Sequence, residues 1–142
     1  MKTIKHFLTD HPHEIWTVSP GDTVLDALKL MAQKNIGAVV VMRDNQLVGI
    51  MSERDYARKV ALMGKSSTST KVSEIMTEKV ITVSAEYKIN ECMKIMSDHQ
   101  IRHLPILAHN QLVGIISIRD VVKEMMKAQQ RMIEDLQKYI CG

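Results

Sequence analysis

Aromatic side chains are scarce in this chain: among 142 residues there are one Phe, one Trp and three Tyr. Proteins that hold single-stranded nucleic acid stack bases on aromatic rings, so the composition argues against such a platform. A basic stripe for a duplex is missing too, because Lys and Arg alternate with Asp and Glu along the helical segments. The net charge of +3 therefore decides little about partners. With two cysteines, Cys92 and Cys141, there is no disulfide framework, and a reduced cytoplasmic setting is expected. Apolar runs such as Gly37–Met42 are strand-sized, far below the roughly 18 residues of a membrane span. Met1–Asp10 holds no apolar stretch of the kind a secretory signal needs, so none is expected. No nucleophile stands with a base, no metal-ligand set is spaced for four-coordination and no Gly-rich phosphate loop is present, so no enzyme is expected. Cys92 lies on the apolar stripe of a helical pattern, which makes it a core thiol and not a nucleophile served by His99. His11-Pro12-His13 reads as a surface turn.

What the chain does have is itself, twice. Thr17–Val60 laid over Thr82–Met125 matches without a gap at 15 of 44 positions. The densest run, Asn45-Gln46-Leu47-Val48-Gly49-Ile50, recurs as Asn110-Gln111-Leu112-Val113-Gly114-Ile115. After each run comes a spaced trio, Ser52, Arg54 and Asp55, then Ser117, Arg119 and Asp120. A unit of about 50 residues buries its own apolar face poorly, so the copies are expected to share a core across a pseudo-twofold axis.

Each copy reads β-α-β-β-α. In the first, Ile15–Val18 is extended and Thr23–Asn35 has helical spacing with a cap at Asp22 or Thr23. Ala38–Met42 is a buried strand, Asp44-Asn45 a turn and Leu47–Met51 the returning strand. A helix then runs from Ser52 to about Met63. The second copy repeats this with strands at Val80–Val83, His103–Leu107 and Leu112–Ile116, and helices at Ile89–His99 and from Ser117. The organisation expected is a lead-in (1–14), repeat one (15–63), a linker (64–79) with a short helix at Val72–Met76, repeat two (80–126) and an extension of the last helix (127–142). Apolar residues on Tyr56–Met63 and Val121–Leu136 exceed what one chain can cover, so a homodimer is expected.

The Ser-x-x-Asp spacing has two physical readings. It is that of a capping box, in which the hydroxyl caps a helix and the acid returns the bond. It also sets a helix N-terminus, with its N–H groups and partial positive charge, beside a carboxylate able to accept from two vicinal hydroxyls. Gly49–Asp55, Gly114–Asp120 and Ile101-Arg102-His103-Leu104-Pro105-Ile106 resemble the signatures of CBS domains, and the chain is similar to a stand-alone tandem pair, a Bateman module. The resemblance implies an α/β fold of two repeats packed through their small sheets. It also implies a non-catalytic sensor that binds adenine nucleotides (AMP foremost; ADP, ATP or NAD as alternatives) in a cleft between the repeats. By resemblance Asp55 and Asp120 hold ribose, and Ser52 and Ser117 lie near phosphate. Arg119 would cross to the Asp55 site and Arg54 to the Asp120 site, while Arg102 and His103 would contact phosphate beside Leu104 and Pro105. The first copy has Gly37 and Ala38 there instead, so unequal sites are expected. Adenine would rest on Val18 and Ile36, or on Val83 and Ile101, with Thr17 or Thr82 as polar contacts. The effector protein is unnamed by the sequence. Two other readings stay open: a structural dimerisation module with degenerate sites, and a nucleic-acid accessory protein, allowed by the pI near 8.9.

Overall fold

The computed structural model describes residues 2–12 and 14–141, so His13 lies outside the described residues. The element order is α1 (Ile4–Asp10), β1 (Thr17–Val18), α2 (Val24–Lys34), β2 (Ala38–Arg43), β3 (Gln46–Ser52), α3 (Glu53–Tyr56), α4 (Val72–Ile75), β4 (Val83–Ser84), α5 (Ile89–His99), β5 (His103–Ala108), β6 (Gln111–Ser117) and α6 (Ile118–Cys141). The chain divides into two compact units. One, the Asp55 unit, is Glu14–Ile81 with Asn110–Leu112. The other, the Asp120 unit, is made of the described residues of Met1–His13, Thr82–His109 and Val113–Gly142.

In the Asp55 unit the sheet order is β1-β2-β3. β1 runs parallel to β2, with Thr17 opposite Val40, and β3 returns antiparallel, with Ser52 opposite Ala38. The reversal passes through Asp44 (φ 51°) and Asn45 (φ 63°), two successive left-handed residues of the kind a tight hairpin demands. Thr23 Oγ1 caps α2 by accepting from the Asp26 amide at 3.1 Å, and Asn35 ends the helix at φ 55°. Val24, Ala27, Met31, Val39, Val41, Met51 and Val60 form the core, joined by Val72 and Ile75 of α4.

The Asp120 unit repeats this plan with sheet order β4-β5-β6 and Val83 opposite Ile106. Gln100 (φ 54°) ends α5, and His109 (φ 53°) and Asn110 (φ 61°) make the turn. Its core takes Ile89, Cys92, Met96, Leu104, Ile106, Ile116 and Val121, together with Ile4 and Phe7 of α1.

Four elements differ from what periodicity predicts. The lead-in contains a helix, α1, capped by Thr3. Its backbone is tied to the second repeat through Ile4 N to Tyr87 O (2.8 Å), Lys5 N to Ala85 O (2.9 Å) and Ile89 N to Lys2 O (3.0 Å). Seven residues give too few periods to stand out, and this helix exists because packing holds it. The outer strands shrink to Thr17–Val18 and Val83–Ser84. The helix after Ser52 is α-helical only to Tyr56; Ala57–Ala61 is a π-helical turn, closed by Leu62 N to Ala57 O at 2.9 Å. The corresponding stretch of α6 belongs to an unbroken helix of 24 residues.

The segment before each repeat therefore has a matching task. Thr3 bridges to Lys88 and Lys71 to Thr23. The glycine of the repeated hexapeptide makes room for each segment. A Cβ on Gly114 would lie 2.7 Å from Leu8 Cδ2, and one on Gly49 would lie 2.6 Å from Met76 Sδ and 3.2 Å from the Thr77 carbonyl.

Candidate functional site

In each unit the strand that ends in Ser passes directly into a helix, and the Ser-x-x-Asp turn closes on itself. The Asp55 amide donates to Ser52 Oγ at 3.1 Å, while the Ser52 amide (2.9 Å) and hydroxyl (3.1 Å) donate to Asp55 Oδ2. Asp120 repeats this at 3.2, 2.9 and 2.9 Å with Ser117. The capping box is thus realised twice. It occupies Oδ2 of each carboxylate, which leaves Oδ1 as the oxygen that can serve a ligand.

The helix starts are less open to an anion than the spacing implies. The Glu53 amide donates to Gly37 O (3.1 Å) and the Ile118 amide to Arg102 O (2.8 Å), so two of the first amides in each helix are committed internally. The Ser52 and Ser117 hydroxyls are engaged in their caps. A phosphate here would be met mainly by side chains.

The two Oδ1 atoms have different surroundings. Asp55 Oδ1 is 3.2 Å from Lys59 Nζ and accepts a long 3.5 Å bond from Thr77 Oγ1. Lys59 Nζ also donates to Ile75 O at 2.9 Å, which ties it to α4. In the Asp120 unit the position of Lys59 is taken by Glu124. No hydrogen bond is made to Asp120 Oδ1 among the described residues. Glu124, only 5% exposed, turns the other way, to Lys2 Nζ (3.1 Å), His11 Nε2 (3.0 Å) and Lys127 Nζ (3.6 Å). Burial pushes the Glu124 carboxyl up, but hydrogen bonds from Lys2 and His11 outweigh it and hold the pKa below the usual range. Lys2 also pairs with Asp10 at 2.7 Å.

The other expected residues fall into two groups. Thr17, Arg54, Arg102 and Arg119 are exposed, and Ile36, Gly37, Thr82, Ile101 and His103 are half-buried. Val18, Ala38, Val83 and Leu104 are buried core side chains, and Pro105 is buried as well, so these can offer a ligand little beyond backbone. Within the Asp55 unit Ala38 stands opposite Ser52 in the strand pairing and Gly37 O meets the Glu53 amide, and within the Asp120 unit Arg102 O meets the Ile118 amide in the way that Gly37 does. Burial lowers the pKa of His103 from the ordinary value of 6.5, Asp120 opposes this and Arg102 adds to it, so the fold favours the neutral ring.

Lys59, Thr77 and Glu124 escaped the sequence reading, although the reversal of charge between aligned positions 59 and 124 was visible in it. An Asp-to-Lys spacing of four is an ordinary helix pair and carries no mark of the partners it meets in the fold. His11, read as part of a surface turn, is a partner of a buried carboxylate. Cys92 is the core thiol expected: burial, with Glu91 adding, pushes it to about 11. No cluster able to hold a metal occurs among the described residues.

A CBS domain family model matches residues 4–62 and 72–127. The chain belongs to the CBS-domain family. A mitochondrial CBS domain-containing protein of Arabidopsis thaliana, CBSX3, is 44% identical over 126 residues, covering 85% of this chain and 61% of its own length. YhcV of Bacillus subtilis, also named as CBS domain-containing, is 33% identical over 89% of this chain and 87% of its own. Among solved structures, a Burkholderia ambifaria protein provisionally described as a signal-transduction protein with CBS domains superposes with a TM-score of 0.86. It is 46% identical and matches over 90% of this chain and 96% of that one. The chain is a tandem CBS module, a kind of module generally found in regulation and signal transduction. No described helix is long and apolar enough to cross a membrane.

Proposed function

We propose that this tandem CBS module is a non-catalytic sensor that binds an adenine nucleotide, with AMP foremost and ADP, ATP or NAD as alternatives, and passes the bound state to an effector protein. The observation that supports it best is the Asp120 carboxylate. Its Oδ2 is fixed by Ser117 while Oδ1 keeps its acceptor capacity, with exposed Arg102, whose carbonyl accepts from the Ile118 amide, and half-buried His103 in the same unit. A held carboxylate with one open oxygen suits a vicinal diol, and a nearby guanidinium suits phosphate. Asp55 with Ser52 offers the same frame in its own unit without the Arg-His pair.

A thermal-shift panel of AMP, ADP, ATP, NAD, NADH and S-adenosylmethionine tests the reading. A ligand at 100 times its Kd that binds only the folded state adds about 2.7 kcal/mol. No shift from any of the six would leave the alternative of a dimerisation module with degenerate sites. We further propose a homodimer. Leu62, Met63, Val122, Met126, Met132, Ile133, Leu136, Tyr139 and Ile140 are exposed, and an apolar surface of that extent calls for a partner. Sedimentation at tens of micromolar decides it, and a monomer there refutes it.

A further inference from the structure

We propose that Lys59 is a built-in occupant of the ribose acceptor at Asp55, so that this site takes a nucleotide only by displacing an internal cation. The inference rests on the nucleotide reading above and adds a regulation of one of its two sites.

A carboxylate offers about four acceptor positions, and at Asp55 four donors are in place. The Ser52 amide and hydroxyl take Oδ2; Lys59 Nζ and Thr77 Oγ1 take Oδ1. Asp55 is 13% exposed at its side chain, so its contacts are only partly screened by solvent, whereas Lys59 is 45% exposed and has room to leave. The ammonium is anchored at both ends of its reach, by the carboxylate at 3.2 Å and by Ile75 O at 2.9 Å. Ile75 itself is 1% exposed, so that carbonyl sits on a fixed element. Lys59 lies in the π-helical turn Ala57–Ala61, a departure from α-helix that the other unit does not make. Such single-turn π segments are frequent at functional positions.

The second copy is an internal control. It has the same Ser, Asp and capping bonds, but Glu124 replaces Lys59 and is held by Lys2, His11 and Lys127. Asp120 Oδ1 is therefore ready to accept two hydroxyl donors, and Asp55 Oδ1 must first give up Lys59. Loss of one charge-assisted bond on binding corresponds to roughly tenfold in Kd. The duplicated frame thus yields one ready site and one masked site, with Lys59 setting the threshold of the second.

Calorimetry with AMP on the full chain separates the cases. In an Asp120→Ala background, binding through the Asp55 site is read alone. There Lys59→Met should tighten AMP about tenfold, and Lys59→Gln should act in the same direction. Adding Asp55→Asn should abolish the gain, and 2′-deoxy-AMP should not show it. Unchanged or weaker AMP binding in both Lys59 variants overturns the inference, and weaker binding would make Lys59 a ligand contact. If wild type binds AMP through Asp120 while the Asp55 site stays empty in both Lys59 variants, the inference fails and the nucleotide reading stands. If neither wild type nor any variant binds, the nucleotide reading fails and the inference with it.

Discussion

Up to the acid of Ser-x-x-Asp the two units follow one plan, and one helical turn later they part. Both have a strand ending in Ser, a capped Asp, a close-packed glycine and left-handed residues at the same bends. At the next turn the Asp55 unit places Lys59 in a π-helical segment, and the Asp120 unit places Glu124 in a regular helix. The lesson is that the frame of a duplicated fold is constrained by backbone bonds, which both copies need. The residue one turn beyond is constrained only by what it faces. In one unit that is a carboxylate and the carbonyl of α4; in the other it is Lys2 and His11 from the N-terminal segment.

Equivalence of the frames is tested most strongly in the cores. Met51 and Ile116 are aligned and both fully buried, so Met51→Ala and Ile116→Ala should each cost about 2–5 kcal/mol. Denaturant unfolding measures it, and a cost below about 1 kcal/mol in either would break the equivalence.

Ligand binding should split the units. Asp120→Ala should weaken AMP by roughly 30- to 150-fold, about 2–3 kcal/mol. Asp55→Ala should change it by only a few fold, since that oxygen is already engaged. Equal losses in the two variants, read by calorimetry, would contradict the difference drawn between the two Oδ1 atoms.

The close-packed glycines sharpen the comparison at a smaller scale. Overpacking typically costs about 1–3 kcal/mol. Gly49→Ala should be the worse of the pair, because its Cβ meets the Thr77 carbonyl as well as Met76 Sδ, whereas Gly114→Ala meets mainly a Leu8 methyl group. Thermal unfolding of the two variants gives the order, and the reverse order would place the tighter approach at Leu8.

The smallest effect is a difference in pH response. His103 has a lowered pKa in the fold, so the unfolded chain binds more protons just below pH 6.5. Stability should then fall as pH drops through that window, by less than about 1.4 kcal/mol per pH unit. Glu124, whose folded pKa is lowered, adds a second loss as pH falls below its ordinary value of 4.5. Ala38 stands where His103 does, so the Asp55 unit has no counterpart to the first term. Melting temperatures from pH 8 to 4 for wild type and His103→Gln check it. An unchanged slope between 7 and 5.5 in the variant would show that His103 does not carry it.

The repeat, the β-α-β-β-α order, the hairpin at Asp44-Asn45 and the Ser-x-x-Asp turns were legible in the sequence. Each is written in a local pattern: gapless identity, apolar period, turn chemistry, cap spacing. The family likeness followed from the same residues. The α1 helix was not legible, because seven residues hold too few periods. Nor could periodicity say that a lead-in and a linker complete the cores of the units, since Ile4, Phe7, Val72 and Ile75 reach their partners only through folding. The core burial of Val18, Val83 and Leu104 was likewise hidden, because an apolar strand residue reads the same whether it faces core or ligand.

The sequence alone determined the frame, since capping, turns and hydrophobic period act between residues a few positions apart. It also displayed the raw difference between Lys59 and Glu124. Only the tertiary structure decided what that difference does. A charge acquires its role from what lies within about 4 Å, and Ile75, Thr77, Lys2 and His11 come that near only once the chain has closed on itself.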